Sequence, residues 1–532
     1  MDRQYIEGLL ADEVEKKYDL MPDFPVLTFE NGEFEDEIIT YRDIYIKGKI
    51  IAKLLEDMGF SKGDRFCLVM RNHPEFIYAL VAASMTGTVV VPIDPRAMSD
   101  RLKFQILNSG SKGIIFSNEF YDTVKKAIKD IGELKVIGVV YKDGFKTPVR
   151  EQYPDLQKYF KDMREIELKN RNKELNIPLE IIYTSGTTGD PKGVIIKGDR
   201  LFAFKLLAQL IWKYSLKDKL YTGLSLTHGN AQAVTLTPAI TLGIPAVISR
   251  KFTKSRIWDI CRHYGVTSFS LLGGMMMGIY SEPASPMDAH NPVRVVISAG
   301  TPYSIWREFE ERFQVKIHEW YGAVEGGFAH NPPGKGPIGS FGKPPEGFME
   351  MQVVREDDSP CEPYEIGEIV CRPKGSSAEV EYLGNPEASE KKTRGGWLRT
   401  GDMGHVDEHG WFYFDFRKGG GLRRQGEFIQ PQDIEKVLAE IQEIEDVCVY
   451  GIPASSGAPG EVDIVAAVKF FKGRWLDPGE IFAILRKNLQ NNQIPSYLQV
   501  VDEIPKSASQ KNLDRLLRDR FSRGLDNIYP RP

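Results

Sequence analysis

The sequence has little that would staple it covalently or carry it into a membrane. Its 532 residues include five cysteines, Cys67, Cys261, Cys361, Cys371 and Cys448. The count is odd and no two form a CxxC pair, which argues against a disulfide framework and fits a reducing compartment. The first residues, Met-Asp-Arg-Gln, lack a basic stretch followed by an apolar run, so no signal peptide is expected. The longest apolar stretch, residues 79–91, is interrupted by Ser84, Thr86 and Gly87 and is too short to span a bilayer. A net charge of −5 supplies no positive excess for bulk binding to nucleic acid. A local basic site for a small anion remains open within an acidic protein. A cytoplasmic location is expected, and nothing here decides against a homodimer.

What is present is ordinary for a globular chain: 42% hydrophobic and 27% charged residues. At about 150 residues per domain the length gives roughly three to four structural units, enough to bury a large core. From residue 64 onward short apolar runs alternate with helical patterns. Strands are expected at 65–70, 88–93 and 113–116, with helices at 74–84 and 99–107. The alternation resumes with a strand at 179–184, a helix at 201–214, a strand at 246–248 and a helix at 255–264. Further strands are expected at 268–272, 294–298 and 315–320. Such alternation predicts parallel βαβ units. Residues 143–176 are charged and weakly patterned and read as a surface connection. At Lys418-Gly419-Gly420-Gly421 the character changes, since three glycines impose almost no backbone preference. Beyond them helices are expected at 431–441, 478–489 and 512–521, and strands at 447–450 and 464–469. The fold class is therefore α/β: a large N-terminal body, residues 1–416, and a small, mobile α+β domain, residues 417–532.

The most informative stretch is Tyr183-Thr-Ser-Gly-Thr-Thr-Gly-Asp-Pro-Lys-Gly-Val194, set between two β-type runs. Four hydroxyls, three glycines and Lys192 crowd into one loop. Glycines let backbone N–H groups turn inward as an anion nest, and the hydroxyls and the lysine add donors for phosphate oxygens. It is not a Walker A loop, because Pro191 occupies the place of the second glycine. A polar turn is the plain reading of a generic loop of this composition.

This loop resembles the signature loop of the adenylate-forming enzymes, which include acyl-CoA synthetases, luciferases and the adenylation domains of peptide synthetases. The resemblance runs along nearly the whole chain in the family's order. It implies that Thr184, Ser185, Gly186, Thr187, Thr188 and Lys192 hold the pyrophosphate end of ATP. Ser298-Ala-Gly-Thr-Pro302, with Gly300 and Thr301, resembles the loop lining the adenine pocket. Glu319-Trp-Tyr-Gly-Ala-Val-Glu325 resembles the family's YGxTE motif. There Tyr321 and Gly322 would serve the adenine and Glu325 would face Mg²⁺, a hard cation that needs only one or two carboxylates beside phosphate oxygens. Asp402, in Trp397-Leu-Arg-Thr-Gly-Asp402, and Arg417 fall where the family binds the ribose. Arg423 and Gly426 lie in the loop that enters the site for thioester formation, and Gly420 stands at the hinge. Lys511 occupies the position of the catalytic lysine. His228 is open to two readings: a packed core histidine, or a catalytic residue bordering the acyl and CoA channels.

Three positions depart from the family pattern: Val324 for a threonine, Gly420 for an aspartate or lysine, and Gln510 for a glycine. His405 and His409 bracket Asp407 and Glu408, but Gly404 and Gly410 enclose them, so a hairpin turn is expected there and no metal. Residues 223–249 contain no Asp, Glu, Lys or Arg. If they line the acyl pocket, with Leu271-Leu-Gly-Gly-Met-Met-Met277, the acyl group is compact and mostly uncharged; they also suit a plain core. Thr227–Gln232, Leu271–Gly274 and Asp288–Arg294 look most like the crotonobetaine/carnitine–CoA ligase branch. The resemblance implies an ATP-dependent acid–CoA ligase using Mg²⁺ and coenzyme A, acting on a short-chain or cyclic carboxylic acid. An adenylating enzyme with another acceptor and a non-catalytic nucleotide sensor are the alternatives.

Overall fold

The computed structural model describes residues 8–97, 99–142, 145, 153–161, 166–184, 191–418, 422–424, 427–429, 431–455, 462–507 and 512–532. The chain divides into two compact units. One holds residues up to Phe252 with 263–270 and 379–392; the other holds 253–262, 271–378 and 393–532. This division differs from a break at residue 416.

In the first unit, a six-stranded sheet runs Lys135–Val140, Gly113–Ser117, Arg65–Val69, Val89–Pro92, Pro178–Thr184, Lys192–Lys197. The first five strands pair in parallel and the last is antiparallel. The expected βαβ alternation is thus realised, with helices Pro74–Thr86 and Ser99–Ser109 joining parallel strands. Cys67, Val69, Val91, Ile114 and Phe116 pack with Leu102 and Ile106 of the second helix. Helix Pro74–Thr86 has proline in its first turn and ends on Gly87 in the left-handed region (φ 72°), where a β-carbon would be strained. Its residues 74–85 are all buried. Helix Tyr41–Asp57 packs beside it, started by a capping box in which Thr40 and Asp43 satisfy each other's backbone N–H groups. A second sheet of this unit pairs Pro25–Glu30 with Ala246–Ser249, and that with Leu220–Thr222, all in parallel. The free edge of strand Lys192–Lys197 is covered by residues 381–383 through Ile195 N–H to Glu381 O and Leu383 N–H to Gly193 O.

In the second unit, strands Val295–Ala299 and Lys316–Ala323 are parallel, and Gly326–Asn331 returns antiparallel. A five-stranded antiparallel sheet runs Ser340–Gly342, Phe412–Arg417, Leu398–Val406, Gly367–Pro373, Met349–Val354. The His405–His409 stretch is the expected hairpin turn between two of these strands. The C-terminal portion has its own core. Ile434 and Leu438, one turn apart on helix Pro431–Ala439, meet Ile481, Phe482 and Leu485 of helix Pro478–Asn488 over strands Ile444–Pro453 and Val462–Phe470.

Three expectations are corrected. The helix at 201–214 ends at Leu210, and the one at 512–521 is reduced to Asp514–Asp519. The 143–176 connection contains helix Leu156–Phe160, whose buried Leu156 lies against Gly138. Leu156 and Phe160, one turn apart, are the buried residues of this helix, too short a pattern to stand out in a charged stretch. Among the described residues no helix is long and apolar enough to cross a membrane.

Candidate active site

The phosphate-type loop leaves one strand and enters its antiparallel neighbour. Register pairs Thr184 with Lys192, so the two ends of the loop stand opposite each other. Thr184 Oγ1 donates to Lys192 O at 3.4 Å, and Lys192 Nζ stands 5.2 Å from the Tyr382 ring centre. Ser185, Gly186, Thr187 and Thr188 lie outside the described residues.

On the same strand Glu180 is 1% exposed. Strand alternation puts it on the face shared by Ile182 and Thr184. Its Oε1 accepts from Gln232 Nε2 at 2.8 Å, and the same nitrogen donates to Leu226 O at 2.9 Å. Burial pushes its carboxyl up to about 7 against the lowering effect of Gln232. Glu435, half-buried in the C-terminal portion, is likewise pushed up to about 7 by desolvation. The folded chain therefore keeps protons that the unfolded chain releases near pH 4.5. Stability from these groups is full below that pH and is lost as pH rises through 7. A fall of several degrees in melting temperature between pH 5 and 8 is expected, and Glu180→Gln should flatten it. Scanning calorimetry of both proteins across that range checks this; equal slopes would contradict it.

His228 lies in the same unit, in a turn closed by its own N–H to Ser225 O. Its Nδ1 accepts from Asn230 N–H at 3.2 Å, which places any ring proton of the neutral form on Nε2. It is half-buried, so neither sequence reading of it is decided by packing.

The nucleoside-type residues come together in the second unit. The parallel pairing sets Ser298 beside Glu319. Glu319, 3% exposed, accepts from Gly300 N–H at 2.6 Å and Thr301 N–H at 3.2 Å, and Thr301 Oγ1 lies 2.5 Å from its Oε2. Burial lifts this carboxyl to about 8 despite those donors. Gly300 sits at φ 76°, which the turn requires. Two residues on, Tyr321 stacks on Phe341 at 4.5 Å and donates its hydroxyl to Asp402 Oδ2 at 2.5 Å. Burial and the Asp402 charge raise the Tyr321 phenol well above its ordinary value. Asp402 also pairs with Arg417 Nη1 at 2.8 Å across the Leu398–Val406 and Phe412–Arg417 ladder. Gly322 is needed where it is, since a β-carbon would stand 2.9 Å from the Trp320 ring. Val324 and Glu325 form the two-residue turn after it, with Ala323 paired to Gly326 and Glu325 half-buried.

Gly300, Thr301, Tyr321, Asp402 and Arg417, read separately from the sequence, thus fall in two polar clusters carried by one strand, Lys316–Ala323. Arg423 has a described backbone only; Gly420, Gly426, Gln510 and Lys511 lie outside the described residues. Among the described residues no three His, Cys, Asp or Glu side chains gather as a metal cage. His405 Nδ1 is 2.7 Å from Asp415 Oδ2 and stacks on Tyr413. A half-buried carboxylate on a turn, as Glu325 is, fits a Mg²⁺ ion that takes its other ligands from phosphate and water. Glu319, Glu180 and Gln232 were missed as site residues in the sequence. Glu180 and Gln232 each left the trace of a polar side chain inside an otherwise apolar run, whereas Glu319 sits in a mixed run with Lys316 and His318.

Comparison with known proteins follows this geometry. Residues 14–378 match the AMP-binding enzyme family, and residues 433–511 match the AMP-binding enzyme C-terminal domain. The chain is 28% identical over 519 residues to a crotonobetaine/carnitine–CoA ligase of Salmonella heidelberg strain SL476, covering 93% of this chain and 96% of that one. It superposes on the anthranilate CoA ligase AuaEII in complex with anthranoyl-AMP with a TM-score of 0.81 at 19% identity, covering 97% of each chain. It superposes on o-succinylbenzoate CoA synthetase from Bacillus subtilis, in complex with ATP and magnesium ion, with a TM-score of 0.75 at 23% identity, covering 95% of this chain and 99% of that one.

Proposed function

Since this chain belongs to the AMP-binding enzyme family, we propose that it is an ATP-dependent acid–CoA ligase. It joins a carboxylic acid to coenzyme A through an acyl-adenylate and releases pyrophosphate and AMP. The observation that carries this reading is a pair of polar clusters that strand Lys316–Ala323 holds two residues apart: the Gly300–Thr301 loop on Glu319, and Tyr321 with Asp402 and Arg417. It is a preformed polar cradle suited to a nucleoside.

In the first half-reaction a substrate carboxylate oxygen attacks the α-phosphorus of ATP, and the bond to pyrophosphate breaks. Thr184, Lys192 and the hydroxyls and backbone of residues 185–188 hold the pyrophosphate as its charge grows. Tyr321 and the Gly300–Thr301 loop hold adenine, and Asp402 and Arg417 hold the ribose. Glu325 would hold Mg²⁺, which supplies neutralisation of the phosphate oxygens. Lys511 relieves the repulsion between the two reacting anions. In the second half-reaction the CoA sulfur attacks the acyl carbonyl carbon, and the bond to AMP breaks. Residues 417–532 act as a mobile domain that turns about Gly420, withdrawing Lys511 and bringing in the loop of Arg423 and Gly426. A turn of this kind needs a residue that tolerates large backbone change, which glycine does. His228 borders the path of the acyl group and the thiol. The acid is short-chain or cyclic, in keeping with the uncharged segment 223–249. The enzyme acts in the cytoplasm without nucleic acid, with a homodimer as its working assembly.

The test is AMP and thioester formation from MgATP, CoA and a panel of short, branched, cyclic and aromatic acids. Thioester made in step with AMP from at least one acid is expected. AMP without thioester would instead indicate a different acceptor, and nucleotide binding without turnover of any acid would indicate a sensor.

A further inference from the structure

Asn230 is 3% exposed, and among the described residues neither Oδ1 nor Nδ2 of its carboxamide has a hydrogen-bond partner. Leaving a buried donor and a buried acceptor both unmade is costly, and a native fold keeps few such groups. Its surroundings make the contrast plain. Asn72, in the same unit, donates to Leu224 O and Ser249 O and accepts from Leu226 N–H, each at 2.8 Å, fully engaged in holding the segment. Gln232, two residues beyond Asn230, spends its amide N–H groups on Glu180 and Leu226. Thr235 Oγ1 lies 3.3 Å from Ser270 Oγ, and Thr241 donates to Thr237 O at 2.7 Å. These neighbours are fixed to the scaffold, and Asn230 is not.

Its backbone is fixed nonetheless. The Asn230 N–H donates to His228 Nδ1, and Ala231 N–H to His228 O. Directly after it the chain enters a π-helical turn, Ala231–Leu236, buried throughout. Such widened turns are rare and are frequently found at functional sites. The arrangement is a rigid backbone presenting an unused amide two residues from His228.

We propose that Asn230 is a specificity residue whose carboxamide binds a neutral hydroxyl or amide group on the acid substrate. The proposal rests on the ligase reading and on segment 224–232 bordering the acyl group. A carboxamide offers one acceptor and a donor pair, which matches a partner that both donates and accepts. A charged substituent would find no counter-charge in residues 223–249. The substrate class is therefore an acid carrying, besides its carboxylate, an uncharged hydrogen-bonding substituent. A site built this way rejects the analogue that lacks the group, because the amide is then left unpaired.

The test compares matched acids on the full-length enzyme: 3-hydroxybutyrate with butyrate, and 4-hydroxybenzoate with benzoate, by kcat/KM for thioester formation. The wild type is expected to favour one hydroxy acid over its deoxy partner by about ten- to a hundredfold, the range a hydrogen bond to a buried group commands. In Asn230→Leu and Asn230→Ala that ratio should collapse to near one. Because both acids are assayed on one preparation, the ratio does not depend on how much of a variant folds. A wild type without preference, or a ratio unchanged in both variants, overturns the proposal while the thioester product still supports the ligase. A wild type that makes neither AMP nor thioester from any of these acids or from the wider panel overturns both.

Discussion

Replacing Lys511 with alanine should lower acyl-adenylate formation by about a hundred- to a thousandfold, the loss typical of removing one preorganised charge-stabilising donor. Thioester formation from a supplied acyl-adenylate should change far less. Two anions meet when a carboxylate approaches an α-phosphate, and a cation held between them acts on that step alone. The described residues that flank this lysine in the chain are anchored. Lys506 forms a backbone bridge with Asn512, and Leu513 N–H donates to Pro505 O at 2.7 Å. Lys506 Nζ also pairs with Asp446 at 2.8 Å, and Asn512 Nδ2 donates to Val447 O at 3.3 Å. Both Asp446 and Val447 belong to strand Ile444–Pro453, which thus holds the described residues on either side of position 511. Separate assays of pyrophosphate release and of CoA acylation measure the split. Equal loss in both would contradict a lysine that serves only the first half-reaction.

Gly273→Ala should raise KM for ATP by roughly five- to a hundredfold, the range expected when overpacking costs about 1–3 kcal/mol. A β-carbon on Gly273 would stand 1.9 Å from Gly300 O, a backbone atom that cannot swing aside alone. The loop that must give is the one clamped by Glu319 and proposed to line the adenine. Gly132→Ala is the control, because its β-carbon meets nothing within 4 Å. Unchanged ATP binding by calorimetry in Gly273→Ala would show that the loop does not serve the nucleotide.

Much of the frame was legible before any coordinate. The alternating apolar runs predicted the parallel sheet because buried parallel strands must be continuously apolar, as in Cys67–Val69 and Ile114–Phe116. Tyr321, Asp402 and Arg417 were readable one at a time, from motif position. Their meeting was not, because it depends on an antiparallel register and a tyrosine hydroxyl reaching across 81 positions in the chain. The π-helical turn was hidden for a related reason. Apart from Gln232, residues 231–242 are apolar or hydroxylated on every face, so periodicity had nothing to distinguish. Glu180 and Glu319 were read only as members of the strands expected at 179–184 and 315–320, and the fold revealed that each holds a neighbouring segment through hydrogen bonds.

The account stands on the acyl-adenylate. The most direct measurement supplies a turned-over acid labelled with ¹⁸O in its carboxylate, with MgATP and CoA, and follows the label by mass spectrometry. One labelled oxygen should appear in AMP, with AMP, pyrophosphate and thioester formed in equal amounts. Label in inorganic phosphate with ADP as the nucleotide product, or unlabelled AMP beside the thioester, would contradict the account.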